Sequence, residues 1–431
     1  MSQKQFTVDT TGDLTNQCIQ AAIDEAAAAG GGTVNVPAGE YQLHDAVHMK
    51  DNVKLIGEGE GKTVLIKVPS VSSNLSQVMG YGHYEFAVDE PGKFKVGDGI
   101  HLIDDNAGGF YTTVATISDI DDEWFFINRP ATHDFHPNAN ARAITAFALI
   151  EIETVENATV ENIVLDGNTE ETFRLNGCRG GGIFAIGSSN LTFTKVEIRN
   201  YNGDALSFQQ CADVRVSNCD IHHCTGHGLH PGSGSVRYTF IDNYVHHNEI
   251  DGLFYCLRTT HSLTQGNRIE NNGRHGISIG ERDTNHHIRQ NTIIGNQEHG
   301  IEFRPVNRQS GDDVIVENND IGPNTRDGKS ENEIHIPKGL KRIHICDNRI
   351  EVARGKAMYV EAGCEQISFV GNEVDGKSQS NKAVADEAGV VQYAAPDDLP
   401  SVGPLSLPLH GAKHLFRKDL LPWRGESDHV S

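Results

Sequence analysis

The chain has 431 residues and a formal net charge of −23, and it contains 45 Gly, 14 Pro and only 7% aromatic residues. This negative charge opposes binding to nucleic acid or to an anionic membrane, and no basic run occurs, so we expect neither partner. Abundant Gly with few aromatic residues favours short strands and tight turns over a helical bundle.

Residues 14–29, with the sequence LTNQCIQAAIDEAAAA, predict the clearest helix of the chain. Their apolar residues recur with a helical period, and the glycines at positions 30–32 would end the helix. The alternating segments TVNVP, YQL and VKLIGEG follow, so we expect the helix to cap a sheet edge that would otherwise be open. This opening resembles the start of many pectate-lyase-like right-handed β-helix proteins, and we interpret residues 1–68 as a cap helix with the first coils.

Residues 69–146 contain longer alternating strands, among them FAVDEPGKFKVGDGIHLIDD, separated by Gly and Asp turns. This pattern predicts a small β-rich insertion beside the coils, which could overhang one end of a groove. We interpret residues 147–376 as the parallel β-helix catalytic body and residues 377–431 as an irregular tail with a short helix near 412–421. The tail could join a neighbouring subunit, so a homo-oligomer is left open.

One short phrase recurs through the predicted body: GDALSF, GHGLHP, IDGLFY, RHGISI, EHGIEF and RDGKSE. Its lead residues follow one another at intervals of 23, 24, 24, 24 and 28 residues, a period typical of β-helices. Consecutive coils of such a fold stack about 4.8 Å apart, so the lead side chains should form one column. The lead residues are Asp204, His227, Asp251, His275, His299 and Asp327.

Asparagine recurs at the same period in two further columns. Stacked amides can hydrogen-bond to each other and to the turn backbone, so we interpret these residues as structural. The first column is Asn243, Asn267, Asn291, Asn319, Asn348 and Asn372, and the second is Asn248, Asn272, Asn296 and Asn324.

Apolar and other residues alternate after each lead residue, as a strand with one face in the core requires. The set expected to point outward is Ser207, His230, Phe254, Ser278 and Glu302. Together these patterns predict an all-β chain folded as a right-handed parallel β-helix, with an N-terminal cap helix and a β-rich insertion.

The lead column and the outward set should share one groove, in which imidazole, guanidinium and carboxylate groups lie on adjacent coils. Such a mixture is suited to acid and base chemistry on a polysaccharide or oligosaccharide. The candidate catalytic residues are His227, His230, Asp251, Arg274, His275 and His299. The candidate substrate-binding residues are Asp204, Arg258, Glu281, Arg282, Glu302 and Arg304.

Two reactions fit this groove. Lyases and C5-epimerases of uronates abstract the C5 proton next to a carboxylate, which requires a base and a cationic group that stabilises the developing enolate. Glycoside hydrolysis requires two carboxyl groups about 5 to 9.5 Å apart, and Asp204 and Asp251 would lie roughly 9.6 Å apart, two coils from each other. The excess of His and Arg favours proton abstraction. A non-catalytic carbohydrate-binding solenoid is the third alternative.

The coils between His227 and Arg304 resemble the β-helix module of mannuronan C5-epimerases. That family has a Tyr-Gly-Phe-Asp-Pro-His stretch, against which this chain has HGLHPG at 227–232. The family's Asp-Gly-Phe and Arg-His-Gly-Phe phrases match DGL at 251–253 and RHGI at 274–277. The resemblance implies a polysaccharide-modifying β-helix, although His227, His230 and Gly232 replace the catalytic Tyr, Asp and His of the family. The NGDALSF and GHG phrases look like those of polygalacturonases, but the paired-Asp and Arg-x-Lys motifs of that family are missing.

Metal ligands and cell location are less well defined by the sequence. The histidine cluster lacks the rigid H-x-x-x-H spacing of a metal site, and no D-x-D-x-D-G loop is present, so we assign no cofactor while leaving calcium open. The eight cysteines form no CxxC pair and are interpreted as free thiols. The first residues lack the pattern of a secretory signal, so we expect a cytoplasmic protein as written, or an extracellular or periplasmic one if a leader was removed.

Overall fold

The computed structural model describes residues 4–59, 61–305, 311–378, 381–394, 396 and 399–404. The chain winds as a solenoid in which a coil adds one short strand to each of three sheets, named sheets 1, 2 and 3 in the order a coil visits them. Within the described residues, sheet 1 has 13 strands, sheet 2 has 12 and sheet 3 has 11. Successive strands pair in parallel, except for the last pair of sheet 2. This architecture confirms the predicted all-β parallel β-helix.

The strands are short because a coil turns a corner after every few residues. Sheet 1 consists of Gln5–Thr7, Gly32–Val36, Val53–Gly57, Glu156–Glu161, Ser189–Thr194, Ala212–Ser217, Thr239–Ile241, Thr260–Gln265, Thr284–Arg289, Val314–Glu317, Lys341–Cys346, Glu365–Val370 and Val391–Gln392. Sheet 2 consists of Gly39–Leu43, Thr63–Lys67, Val164–Asp166, Glu197–Arg199, Asp220–His222, Tyr244–His246, Arg268–Glu270, Thr292–Ile294, Asp320–Ile321, Arg349–Ile350, Glu373–Val374 and Lys377–Ser378. Sheet 3 consists of Val47–His48, Ile150–Glu153, Ile183–Ile186, Leu206–Gln209, Leu229–Gly232, Leu253–Phe254, Ile277–Ile279, Ile301–Phe303, Asn332–Ile336, Lys356–Val360 and Val384–Asp386.

The predicted cap helix is the α-helix Asn16–Ala28. The side chain of Thr15 accepts a hydrogen bond from the backbone N–H of Gln17 and caps the first turn. Ile19 and Ile23 are fully buried against the first coils, so the helix covers the apolar end of the solenoid core.

The predicted β-rich insertion is a six-stranded antiparallel sheet with its own core. Phe86 and Phe125 stack in that core with ring centroids 5.3 Å apart, and Phe94 packs edge-on against Phe125. Its strands are Ser72–Asn74, Glu85–Phe86, Gly99–Ile103, Thr113–Asp121, Trp124–Ile127 and Arg142–Ile144. Short 3-10 helices are Pro91–Lys93, Gly109–Tyr111, Pro137–Ala139, Thr169–Glu171 and Asn381–Ala383.

Both asparagine columns are confirmed as buried ladders at the corners that flank sheet 2. Asn267 donates through Nδ2 to Oδ1 of Asn291 at 2.9 Å, and its own Oδ1 accepts from Asn243 Nδ2 at 2.8 Å. The second column runs in the same way until Asn324, whose amide donates to the carboxylate of Glu333 at 2.8 Å. These bonds satisfy buried polar groups along the solenoid.

The lead column departs from its prediction at the last member. His299 is followed on the next coil by Asn332, because Ile301 pairs with Ile334, whereas Asp327 lies in the preceding turn. Assigning Asp327 to the column was therefore wrong. The turn before Asn332 contains additional residues that shift the register. The RDGKSE phrase is therefore similar in sequence to the repeat but does not occupy the equivalent structural position.

The sheets also extend past residue 376, where we expected an irregular tail to begin. Val384–Asp386 continues sheet 3 and Val391–Gln392 continues sheet 1. The helix predicted near 412–421 lies outside the described residues. Among the residues that are described, no helix is both long enough and apolar enough to cross a membrane.

Candidate active site

Sheet 3 and the corner before it create the candidate site, because they repeat the same backbone geometry on every coil. Ser207 pairs with His230, Phe254 with Ser278 and Ser278 with Glu302, so the predicted outward ladder is in register. Its members are more enclosed than expected. Ser207 and Ser278 are fully buried, since neighbouring side chains and loops cover the face of the sheet.

Two Asp–His pairs lie side by side on this face. Nδ1 of His230 is 2.6 Å from Oδ2 of Asp204, and both side chains are almost completely buried. Nδ1 of His227 is 3.3 Å from Oδ2 of Asp251 on the following coil. The centroids of the two imidazole rings are 5.7 Å apart. The lead column supplies three of these four ionisable groups, and the outward set supplies His230.

The Asp204–His230 pair is held in its charged form. Burial by itself would lower the pKa of His230, but the hydrogen bond from the ring to Asp204, with a smaller effect of Cys256, raises that pKa to about 9. Burial alone would raise the pKa of Asp204, yet His227 and His230 lower it. The Nε2 atom of His230 is buried at the cavity wall and has no hydrogen-bond partner of good geometry among the described residues.

A cavity of about 430 Å³ opens over these pairs and contains Asp204, His227, His230 and Phe254 in its wall. The loop that carries Gly177 forms another wall and approaches closely. A Cβ at Gly177 would lie 1.8 Å from Oδ2 of Asp204, so only glycine fits there. The pairs are thus enclosed by protein while one side remains accessible from the cavity.

Asp251, which pairs with His227, is fully buried. Arg274 donates to both of its carboxylate oxygens, the Nε bond measuring 2.7 Å, and the backbone N–H of His275 donates to it at 3.1 Å. Burial would raise the pKa of Asp251, but Arg274 and His227 move it well below its ordinary value. Arg274 therefore fixes a negative charge beside the His227 ring.

His275 is not part of this charged group, although it lies next in the column. Burial lowers its pKa to about 3, so its contact with Glu298 at 3.2 Å involves a neutral imidazole. Its ring stacks on that of His299 with centroids 5.5 Å apart. His299 in turn lies 2.6 Å through Nδ1 from the backbone oxygen of Asn332.

Glu302 belongs to a separate ion-pair network further along the groove. Its Oε2 atom is 2.8 Å from Nδ1 of His335 and 3.7 Å from Nε2 of His299, and His335 also contacts Glu361 at 3.2 Å. Burial would lower the pKa of His335, but Glu302 and Glu361 raise it. Sequence reasoning missed His335 because the register shift before Asn332 removes it from the repeat.

The arginine predictions divide into two groups. The guanidinium of Arg304 lies 4.0 Å from the centroid of Phe254 and donates to Ser278 at 2.7 Å, so it belongs to the groove. Arg258 is exposed, and Arg282 pairs with its neighbour Glu281 at 3.4 Å. The structure places Arg258, Glu281 and Arg282 in turns outside the cavity wall, so their role in substrate binding stays a prediction.

Among the cavity residues that were not identified from the sequence are one arginine and one histidine. Arg174 lies in the long connection between sheet 2 and sheet 3, and His101 comes from the β-rich insertion. His101 is buried with both ring nitrogens unpartnered among the described residues, and burial lowers its pKa to about 3. The unusually long connection RLNGCRGGG was the available signal for Arg174. No repeat predicts the position of His101.

Two groups of three side chains among the described residues could hold a metal ion, with ligand atoms within 4.8 Å of one another. One is His299, Glu302 and His335 in the groove, and the other is Asp220, His222 and His246 on sheet 2. An acidic loop of the β-rich insertion has a structural role at Asp104. Its carboxylate accepts backbone hydrogen bonds at 2.8 and 2.9 Å and so closes the loop.

Comparison with protein families agrees with this architecture. The model described as "Right handed beta helix region" matches residues 148–307. A second model, described as "Periplasmic copper-binding protein (NosD)", matches residues 254–397. Within that second range, the group of His299, Glu302 and His335 has suitable donor atoms. The other ring nitrogens of the two histidines contact Glu361 at 3.2 Å and the backbone oxygen of Asn332 at 2.6 Å.

The chain also resembles curated and solved proteins of Azotobacter vinelandii. It is 28% identical over 293 residues to mannuronan C5-epimerase AlgE3, which covers 66% of this chain and 11% of the relative. A segment of 68 residues is 41% identical to alginate lyase 7 and covers 14% of this chain and 8% of that relative. The chain thus spans only a small part of the curated relatives that it matches.

The solved A-module of mannuronan C-5 epimerase AlgE4 superposes with a TM-score of 0.59 and 16% identity, over 91% of this chain and 100% of that one. A DFA-IIIase from Arthrobacter chlorophenolicus superposes with a TM-score of 0.53 and 11% identity, over 91% and 99% of the two chains. The protein is therefore a right-handed parallel β-helix. Within that class it resembles the module of the mannuronan C5-epimerases.

Proposed function

We propose that the protein is a carbohydrate-active enzyme that abstracts the C5 proton of a uronate residue in a polysaccharide or oligosaccharide, as a lyase or an epimerase. The observation that carries this proposal is the two Asp–His pairs, whose imidazole rings line one cavity with their centroids 5.7 Å apart. Both reactions begin with removal of the C5 proton and need a positive group at the uronate carboxylate.

His227 is the proposed base. Nδ1 of His227 lies 3.3 Å from Oδ2 of Asp251 and 3.4 Å from the backbone nitrogen of Asp251, so the ring must carry its proton on Nδ1, toward the carboxylate, for the lone pair of Nε2 to accept a proton from the sugar. Asp251 then stabilises the imidazolium that forms, and Arg274 keeps Asp251 ionised. His227 also stacks on Phe254 with centroids 4.0 Å apart, which fixes the plane of its ring.

His230 is the proposed acid and carboxylate partner. Its pKa of about 9 keeps it an imidazolium near neutral pH, and its Nε2–H lacks a protein acceptor among the described residues. A buried donor without a partner is costly, so a substrate oxygen would be bound strongly there. From this position His230 can stabilise the negative charge that develops after C5–H cleavage, or return a proton to the sugar.

Arginines add positive charge to a protein that is strongly acidic overall. Arg174 reaches the cavity wall from its loop, and Arg304 lies against Phe254 in the same groove. A guanidinium can bind a carboxylate through two parallel hydrogen bonds, which gives both affinity and orientation. These two residues are the proposed recognition elements for uronate carboxylates.

Hydrolysis by the pair of Asp204 and Asp251 is the weaker alternative. A glycosidase needs one of its two carboxyl groups protonated to act as the general acid. Both of these carboxyl groups have lowered pKa values and are bound to cationic side chains. A purely binding solenoid is also disfavoured, because it gives no reason for a buried imidazolium with an unpartnered N–H.

The similar proteins of Azotobacter vinelandii include epimerases and an alginate lyase, and these names describe the two outcomes of C5 proton abstraction. The test is a panel of uronate-containing and neutral glycans followed by three readouts. A lyase creates a double bond that absorbs in the ultraviolet, an epimerase changes the C5 signals in NMR, and a hydrolase releases reducing ends alone. Activity restricted to hydrolysis of neutral glycans would refute the proposal.

A further inference from the structure

A second histidine cluster lies on sheet 2, on a different face of the coil from the groove. Two consecutive strands of that sheet, Asp220–His222 and Tyr244–His246, each end at a histidine that is followed directly by a second histidine. His222 and His246 are in register, and their rings stack with centroids 4.9 Å apart. The following residues, His223 and His247, stack in the same way at 5.3 Å. Four imidazoles are thus grouped on two coils.

The first histidine of each pair belongs to a set of converging ligand atoms. Nε2 of His246 is 3.0 Å from Oδ1 of Asp220, and one ring nitrogen of His222 lies within 4.8 Å of both. Two imidazole nitrogens and a carboxylate oxygen form a donor set suited to divalent transition metals. The side chain of Asp220 is 48% exposed, so an ion and its remaining water ligands can enter from solvent.

The second histidine of each pair supports the first. Nδ1 of His222 is 2.7 Å from Nδ1 of His223, and Nδ1 of His246 is 2.8 Å from Nδ1 of His247. When the first ring donates its Nδ1–H to the second, its Nε2 is left as a ligand atom with a fixed direction. Metal-binding histidines are normally oriented by such a bond from the other ring nitrogen. This orienting hydrogen bond explains why a second histidine follows the first on both coils.

The nearby carboxylates differ in their availability. Glu197 is bound to Arg199 at 2.7 Å and also lies 3.5 Å from Nε2 of His222, and Glu270 is bound to Arg268 at 2.7 Å. Within the described part of the chain, Asp220 is paired with His246 and with no arginine or lysine. Asp220 is therefore the carboxylate that can serve a metal ion without first breaking an arginine contact.

We propose that Asp220, His222 and His246 form a surface site for one divalent transition-metal ion of the Zn²⁺, Ni²⁺ or Cu²⁺ class, with His223 and His247 as positioning residues. The site joins two successive coils of sheet 2 and is independent of the proposed groove chemistry. The group of His299, Glu302 and His335 is a poorer candidate, because the Glu302 side chain is only 9% exposed, against 48% for Asp220.

The test uses the full chain freed of metal, and titrates it with Zn²⁺, Ni²⁺ and Cu²⁺ separately by calorimetry. We expect one equivalent of each to bind, and the Cu²⁺ form to show coupling to ring nitrogens in its electron paramagnetic resonance spectrum. Mg²⁺ and Ca²⁺ should bind far more weakly, because they prefer oxygen ligands. No saturable binding of any of the three transition ions would overturn the proposal.

The metal affinities of histidine variants test where the ion binds. The double variant His222→Ala/His246→Ala should weaken binding by more than about 100-fold, and His223→Ala/His247→Ala by about 10-fold to 100-fold, as expected for orienting partners. The matched control, His83→Ala/His136→Ala, removes two exposed histidines of the insertion and should bind as the wild type does. Equal affinity in the wild type and the His222→Ala/His246→Ala variant would overturn the proposal. Nitrogen coupling in wild-type Cu²⁺ spectra provides a readout that does not depend on how the variants fold.

Discussion

The asparagine ladders and the Asp–His column are both polar side-chain stacks that repeat about once per coil, yet they differ in composition and in hydrogen bonding. Each inner Asn, such as Asn267, uses its amide to bond both neighbouring coils. The Asp–His column changes residue type from coil to coil, and His230 keeps an N–H that is unpartnered among the described residues. A stack of identical residues is satisfied by itself, whereas a mixed stack with an open donor is prepared for a ligand.

The largest expected effect is on kcat, when the Asp–His column is changed. Replacing His227 by Gln removes the proposed base while retaining a polar side chain of similar reach. We expect kcat on the uronate substrate to fall by about 100-fold to 10,000-fold, the usual contribution of a general base. Steady-state kinetics with the substrate found by the glycan panel measures this change. His83→Gln is the control, because His83 is exposed in the insertion and should leave kcat within about twofold. Unchanged kcat in His227→Gln would exclude His227 as the base.

The second prediction concerns the asparagine ladder. Asn267→Ala removes the amide that bonds Asn243, Asn291 and the backbone oxygen of Phe240, and leaves these buried groups without partners. We expect a loss of about 3 kcal/mol or more in the free energy of unfolding, measured by urea denaturation. Asn74→Ala, at an exposed position of the insertion, should change it by less than about 0.5 kcal/mol. Similar losses in both variants would contradict the structural role of the ladder.

The third prediction concerns pH. Because the folded pKa of His230 is raised from 6.5 to about 9, its pairing with Asp204 stabilises the protein fully below about pH 6.5, and this contribution is lost as the pH rises through about 9. We expect the melting temperature of the wild type to exceed that of His230→Gln by a few degrees at the lower pH. The difference should shrink across this window in calorimetry. A difference that stays constant would argue against a charged His230.

The smallest expected effect is at the rim of the cavity. Arg174→Ala should raise KM for the uronate substrate about tenfold with little change in kcat, since a peripheral carboxylate contact contributes roughly 1.4 kcal/mol to binding. Kinetics of this variant on a charged substrate and on its carboxyl-reduced form provide the comparison. An equal KM change on both substrates would show that Arg174 does not recognise the carboxylate.

The regular coils could be predicted from the sequence because their period is visible in it. The 24-residue spacing placed Asn243, Asn267 and Asn291 in one ladder, and His230, Phe254 and Ser278 on one face. Each coil repeats the local geometry of its neighbour, so pattern and structure coincide.

The remaining features depend on contacts that the repeat does not encode. His101 comes from the insertion and Arg174 from a long loop, so only tertiary packing brings them to the cavity. Asp327 was misassigned because a longer turn shifts the register to Asn332. The enclosure of His230 and the choice of its partner also required the structure, since the sequence shows the column without showing what covers it.

The most direct test of the proposed chemistry uses a uronate substrate labelled with deuterium at C5. Both reactions break the C5–H bond, and the label taken up by His227 then exchanges with solvent, since a different residue, His230, is the proposed proton donor to the sugar. We predict that the wild-type protein releases the label at the rate of turnover, and that His227→Gln slows release by at least about 100-fold. Turnover that retains all of the label at C5 would contradict the role proposed for the two Asp–His pairs.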